Sequence, residues 1–267
     1  MARGKLVVVG TGIRVSHLTP EARTYIETAE VVLHGVYDPA TEALIRQLQP
    51  SSESLMTSYA EGKLRTTTYA EMIERILAPV REGRRVCVAL YGHPGIVVYP
   101  SHAAIHRARR EGHEAKMLPA ISSVDCLFAD VGIDPGHGCQ MYDATDLLLL
   151  QRPVDATAML IVWMIGAVGD PGFSHAWPNR RNLAVLAEYL AKLYGGDHEV
   201  VVYEAAFPVD RRPRIVKTAL SGLAEADVTA GSTLYVPPRG RPTFRADVAE
   251  RLGMSREALG ALFDLEQ

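Results

Sequence analysis

The sequence predicts a two-domain α/β protein: an N-terminal parallel α/β domain over residues 1–119, a C-terminal mixed α/β domain over 120–240 and a short helical tail over 241–267. Three observations carry this. Lys5-Leu6-Val7-Val8-Val9, Val31-Val32-Leu33-His34 and Arg84–Ala89 are continuous apolar runs rather than alternating ones, as expected for strands covered on both faces. Helix-start signals separate them. Beyond Pro119 the strand-like runs shorten and mix, and 267 residues suffice for two cores.

The elements follow in order. The first strand ends in Gly10-Thr11-Gly12, a glycine turn. Thr19-Pro20-Glu21 opens a helix with a capping hydroxyl, a proline at the first position and an acid in the first turn. Asp38-Pro39 repeats the device for a helix over Thr41–Gln49. The polar stretch Ser51–Thr68 leads into a helix from Thr68 to Arg81. The central strand then turns through Leu90-Tyr91-Gly92-His93-Pro94-Gly95, and Ser101–Glu111 is helical up to Gly112. Ala115–Leu118 is a short strand, and Ser122-x-x-Asp125 resembles a capping box. Strands are expected over Gln140–Asp143, Ala158–Ile165, Glu199–Glu204, Arg214–Lys217 and Thr233–Val236, with a helix over Asn182–Tyr194. The tail, Ala246–Leu265, holds two helical patterns, the second capped at Ser255.

Composition narrows the function classes. A net charge of −3 does not point to a nucleic-acid binder. No apolar run approaches the roughly 20 residues of a membrane span. The first strand starts almost at Met1, which leaves no room for a signal peptide. The three cysteines, Cys87, Cys126 and Cys139, lack metal spacing and read as reduced thiols of a cytoplasmic protein.

Several motifs bear on chemistry. Gly10-Thr11-Gly12 starts like a dinucleotide fingerprint, but position 15 is Val15 and no acid ends Val31–His34. His102 and His106 have the spacing of metal ligands, without a third ligand, and read as surface histidines; no metal is expected. Gly169-Asp170-Pro171-Gly172 reads as an ordinary turn, while the strand ends Tyr203-Glu204-Ala205-Ala206 and Ser232-Thr233 can line a ligand. Tyr59, Arg65, Tyr69 and Tyr91 cluster around the central turn. Tyrosines often sit at surfaces with only the ring packed. A guanidinium beside a phenol instead favours the phenolate and supports general-base chemistry. Leu90–Gly95 itself is either a plain strand–turn–helix link or the ligand loop at the carboxyl end of a central parallel strand.

In this order the pieces resemble the tetrapyrrole methylase superfamily, the class III S-adenosylmethionine-dependent methyltransferases. The shared features are the opening strand with Gly-x-Gly, the Gly-x-Pro-Gly loop, the Ile121-Ser122-Ser123 helix start, and the Tyr-Glu-Ala-Ala and Ser-Thr-Leu strands. Most of that superfamily has Gly-Asp-Pro in the central loop; here His93 replaces the aspartate. Leu90–Gly95 with Tyr59 and Arg65-x-x-x-Tyr69 resembles the borosin branch, which methylates backbone amides of a ribosomal peptide. Met56 departs from the tyrosine that fused borosin enzymes often carry three positions before the one matching Tyr59.

The resemblance implies a tetrapyrrole-methylase-like fold with S-adenosylmethionine between the domains. It places Tyr91, His93, Ile96, Ser122, Ser123, Met164, Ala206, Ser232 and Thr233 around the cofactor. Tyr69, made more acidic by Arg65, is the expected base, and Tyr59 and Tyr91 hold the peptide carbonyl and the developing oxyanion. A homodimer is implied. The chain stops at Gln267, so the expected form is the split one, with a separate precursor peptide that would complete a heterotetramer. Two rivals stand beside it. One is methylation of a tetrapyrrole or another small acidic substrate, paired by Arg180, Arg181, Arg211, Arg212 and Arg214. The other is a non-catalytic module that binds cofactor and peptide.

Overall fold

The computed structural model describes residues 3–176, 178–206 and 212–255. Arg211 and the helical pattern expected beyond Ser255 lie outside the described residues.

The first half is a doubly wound parallel sheet. β1 (Lys5–Gly10), α1 (Pro20–Thr28), β2 (Val31–Gly35), α2 (Pro39–Leu48), β3 (Glu53–Ser54), α3 (Arg65–Arg81), β4 (Arg85–Leu90), α4 (Tyr99–Arg110) and β5 (Glu114–Met117) follow in sequence. The strand order is β3-β2-β4-β1-β5, with every pairing parallel. The capping signals work as read: Thr19 accepts from Ala22 N, and Asp38 accepts from Ala40 N and Thr41 N. One face of the sheet, with Leu6, Val8, Val86 and Val88, packs on α3 and α4. The other, with Val9, Val32, Cys87 and Ala89, packs on α1 and α2. Both faces are covered, hence the unbroken apolar runs.

The second half holds α5 (Ser123–Val131), β6 (Cys139–Asp143), α6 (Ala144–Leu149), β7 (Met159–Trp163), α7 (Arg180–Tyr194), β8 (Glu199–Glu204), β9 (Arg214–Ala219), β10 (Thr233–Val236) and α8 (Ala246–Arg251). Its sheet order is β6-β7-β10-β8-β9, parallel only between β6 and β7. Leu160, Val162, Val200, Val202 and Leu234 pack on α6 and α7. Ile161, Trp163, Val201, Tyr203 and Tyr235 pack on α5, with Ile96 and Met164 against them. The Ser122–Asp125 capping box is complete, and the Tyr203 hydroxyl donates to Asp130 at 2.6 Å, tying α5 to β8.

Two expectations change. α3 begins at Arg65 rather than Thr68, because the Arg65 amide donates to the Pro171 carbonyl at 2.9 Å; a tertiary bond does the work of a cap. α6 was not anticipated: Asp143 caps it through Thr145 N and Asp146 N, behind what reads as an apolar run.

The paired ends of β1 and β4 leave no room for side chains. Thr11 N donates to Leu90 O at 2.8 Å, and Gly12 and Gly92 exchange amide–carbonyl bonds at 3.3 and 3.0 Å. A Cβ at Gly10 would lie 2.3 Å from Gly92 O and 2.4 Å from the Ala120 Cβ. The opening Gly-x-Gly therefore serves backbone approach between loops. Gly10→Ala should cost about 2–3 kcal/mol of unfolding free energy. Chemical denaturation checks this, and a loss below about 0.5 kcal/mol would mean that the loop ends separate freely.

Candidate active site

A cavity of about 770 Å³ lies where the two sheets face each other. Its wall takes Ile13, Tyr37, Tyr59, Arg65, Tyr69 and residues 90–93 and 96–98 from the first half. Ser122, Ser123, Trp163, Met164, Glu204, Ala205 and residues 229–233 come from the second, with Gly172–His175 between them.

The central loop is braced from several sides. His93 Nδ1 accepts from Gly95 N at 3.0 Å, and His102 Nε2 donates to Gly95 O at 2.9 Å. The buried Ser101 hydroxyl lies 2.5 Å from Pro94 O and 2.7 Å from Val98 O, sharing one proton between two carbonyls. His102 thus holds the loop, and no group of potential metal ligands exists among the described residues. Val97 has φ +55° and Met164 has φ +59°. A β-branched residue there is strained by about 1–3 kcal/mol, and such strain gathers at functional sites.

Four tyrosines meet on the first-half wall. The sequence reading named Tyr59, Tyr69 and Tyr91 and missed Tyr37. Gly35 pairs with Leu90 across β2 and β4, so the residues just past both strands are neighbours. The Tyr37 ring stands edge-on to Tyr91 at 6.0 Å. The Tyr59 phenol lies among those of Tyr37 and Tyr69, close enough for each to act on its titration. Tyr37 keeps 62% of its surface accessible because its open side faces the cavity. Burial raises all three phenols for which a shift is resolved in this cluster. Tyr59 is pushed far above an ordinary phenol by burial and by its tyrosine neighbours. Tyr91 is pushed up to about 12, mainly by burial, then by Cys126 and Asp38. Tyr37 is raised by burial and by Tyr69, partly offset by Tyr59. These groups are O–H donors at neutral pH, not phenolates.

Arg65 sits one helical turn before Tyr69, but its guanidinium is not turned wholly to the phenols. It donates to the carbonyls of Gly172 at 3.2 Å, Ala167 at 3.4 Å and Asp170. The Gly169–Gly172 loop, read from sequence as an ordinary turn, is therefore the seat of Arg65.

On the second-half wall the carboxylate of Glu204 accepts from Ser232 Oγ at 2.5 Å, from Thr229 Oγ1 at 2.5 Å and from Arg214 through both Nη2 and Nε. Burial works against its charge, yet the hydrogen bonds from Arg214, Ser232 and Thr229 outweigh this and hold the carboxyl below its ordinary value. Arg214, weighed above as a surface or substrate cation, is committed here. The Ser232 hydroxyl also accepts from Thr229 N at 2.8 Å, which fixes the 229–233 loop. Ala205, not Ala206, lines the cavity; Ala206 is the one expected cofactor residue outside its wall. The strand end holding Glu204 lines the cavity, but its ion pair was not read from the sequence because its partners come from separate loops.

The tetrapyrrole (corrin/porphyrin) methylase family pattern matches residues 5–212. The chain is 40% identical over 255 residues to the methyltransferase/ribosomally synthesized cyclic peptide dendrothelin A precursor of Dendrothele bispora, covering 93% of this chain and 61% of that protein. It is also 40% identical, over 261 residues, to a methyltransferase/type III borosin cyclic peptide precursor of Anomoporia bombycina, covering 95% of this chain and 30% of that protein. The chain thus spans about three fifths of the length of the first such relatives. Among solved structures, uroporphyrin-III C-methyltransferase from Thermus thermophilus matches with TM-score 0.63 and 21% identity over 88% of this chain and 92% of that one. A structure of that enzyme complexed with S-adenyl homocysteine matches at TM-score 0.59 and 19% identity, covering 88% and 92%. These two share the fold.

Arg214→Leu should leave a carboxylate that is only 24% exposed without its cation and cost about 1–3 kcal/mol at pH 7. A carboxyl with a depressed folded value stabilises fully above its unfolded value of 4.5 and loses this as pH falls through the folded value. Denaturation at pH 7 and pH 3 should show the gap between wild type and variant closing with acid. A gap that is constant with pH refutes the ion pair as its origin.

Proposed function

The chain belongs to the tetrapyrrole methylase family, and on that premise we propose that it transfers methyl groups from S-adenosylmethionine to backbone amide nitrogens of a ribosomally made peptide supplied as a separate chain, a split borosin reaction. The observation that carries this is the wall of clustered tyrosines, Tyr37, Tyr59, Tyr69 and Tyr91, inside a cavity large enough for cofactor and peptide together. Arg65 is the lysine or arginine on that wall, and it is engaged on carbonyls. A polycarboxylate tetrapyrrole calls for cations facing it. Two of the arginines weighed for that role are engaged otherwise: Arg214 on Glu204 and Arg180 on the Ala224 carbonyl at 2.7 Å.

The cavity also suits the cofactor. Ser122 and Ser123 stand at the N-terminus of α5, where the amides of Ser123 and Val124, outside the capping box, favour a carboxylate. Tyr91, His93 and Ile96 of the braced loop face Met164, Ala205, Ser232 and Thr233 of the second half. When bound, S-adenosylmethionine supplies an electrophilic sulfonium methyl.

An amide nitrogen is a poor nucleophile because its lone pair is delocalised into the carbonyl. Tyr69 Oη, as the phenolate, takes the amide proton directly or through a water and becomes the phenol, while the nitrogen takes the methyl group. Tyr59 and Tyr91 remain protonated because burial raises them, and they donate to the peptide oxygen as it gains charge. Arg65 stands one turn from Tyr69 while holding the start of α3 against residues 167–172. The working enzyme is a cytoplasmic homodimer. Its three cysteines are free thiols, and among the described residues no helix is long and apolar enough to cross a membrane.

Incubating the protein with S-adenosylmethionine and a separate precursor peptide should place methyl groups on backbone nitrogens, read by tandem mass spectrometry. Transfer to a tetrapyrrole alone would sink the proposal. Tyr69→Phe should lower turnover about a hundredfold or more while cofactor affinity, read by calorimetry, stays within about twofold. Retained turnover would assign the base elsewhere.

A further inference from the structure

Besides the packing of Ile96 against the second core, two crossings join the halves at the cavity among the described residues. One is covalent: the chain runs from β5 into α5 and brings Ser122 and Ser123 to the wall. The other is built of hydrogen bonds. Residues 62–65 and 171–173 form a short antiparallel ribbon, with Gly62 N to Phe173 O at 2.9 Å, Phe173 N to Lys63 O at 3.1 Å and Arg65 N to Pro171 O at 2.9 Å. Glu61 closes one end. Its carboxylate accepts from His175 N at 2.8 Å and from Ser174 Oγ at 3.0 Å, with His175 Nε2 3.7 Å away. Phe173 carries the ribbon to the site: its ring is 5.4 Å from that of Tyr59 and 5.0 Å, edge-on, from His175. The two sheets and the two crossings make a closed ring around the cavity.

We propose that this ribbon is a strap that stays closed through turnover, pinned by Glu61, so that the peptide threads through the ring from a free end to reach Tyr59 and Tyr69. The proposal rests on the peptide reading above. Opening the strap means breaking its three backbone bonds, the three bonds from Arg65 to Ala167, Asp170 and Gly172, and the two at Glu61 together. Sliding an extended chain beneath it breaks none of them. Glu61 meets no reacting group; it is a positioning residue that acts through Phe173 on Tyr59. The substrate class follows from the ring: linear, unfolded peptide with a free end.

Leu64 and Gly172 sit opposite each other at the non-hydrogen-bonded position of the ribbon, where Cα atoms lie roughly 4.5 Å apart, within disulfide reach. The Leu64→Cys/Gly172→Cys variant, with free thiols counted, locks the strap on oxidation. The oxidised form should methylate a linear precursor within about twofold of its reduced form, and neither should methylate the head-to-tail cyclised peptide of the same residues. Turnover lost on oxidation, or methylation of the cyclic peptide, overturns threading. Glu61→Ala should raise the peptide KM about tenfold with kcat within about twofold, and the oxidised cysteine pair should restore it; an unchanged KM overturns the role of Glu61. Hydrogen exchange needs no peptide. The amides of Gly62, Arg65 and Phe173 should exchange as slowly as those of edge strands, and exchange at open-loop rates overturns the strap. Protected amides with no peptide methylated would defeat the peptide reading, and threading with it, while leaving the closed strap standing.

Discussion

The missing side chain at Gly10 is the constraint on which the site depends. β1 and β4 lie side by side with their ends in register, and the loops beyond them exchange backbone bonds at Gly12 and Gly92. That contact holds the central loop down on the sheet. His102 and Ser101 hold its far side from α4. Between these two grips the loop is forced through a left-handed valine, which turns residues 96–98 toward the second half. The stiffness of the cavity floor is thus a property of strand pairing, conveyed through a loop with little freedom left.

Electrostatically the two walls have opposite designs. The first-half wall is phenolic, with burial raising Tyr37, Tyr59 and Tyr91 and with the Arg65 cation held on backbone carbonyls. The second-half wall contains a full charge, Glu204, but encloses it with Arg214, Ser232 and Thr229. Neither wall presents a free anion to a sulfonium or a free cation to a carboxylate-rich ligand. A neutral amide bond loses least on entering such surroundings, since it has no charge to desolvate.

Much of this was legible in the sequence, for physical reasons. Buried parallel strands announce themselves as apolar runs, and caps such as Thr19, Asp38 and Ser122 are local chemistry. Tyr59, Tyr69 and Tyr91 could be singled out because they flank one loop. What escaped was set by contacts distant in sequence. Tyr37 joins the cluster only because β2 lies next to β4. Glu204 gains its meaning from loops near residues 214 and 230. Arg65 looked like a modifier of Tyr69 because the two are one helical turn apart, whereas its hydrogen bonds reach more than a hundred residues along the chain.

The two walls rest on different cores. Leu55, Met72 and Ile76 behind the tyrosines belong to the first sheet, while Trp163 and Tyr203 beside the cofactor wall belong to the second. Substitutions that reshape one wall are therefore absorbed by packing that the other does not share, and their effects on stability should sum. Such a layout is evolvable: the surface of one sheet can change while the packing beneath the other is inherited intact.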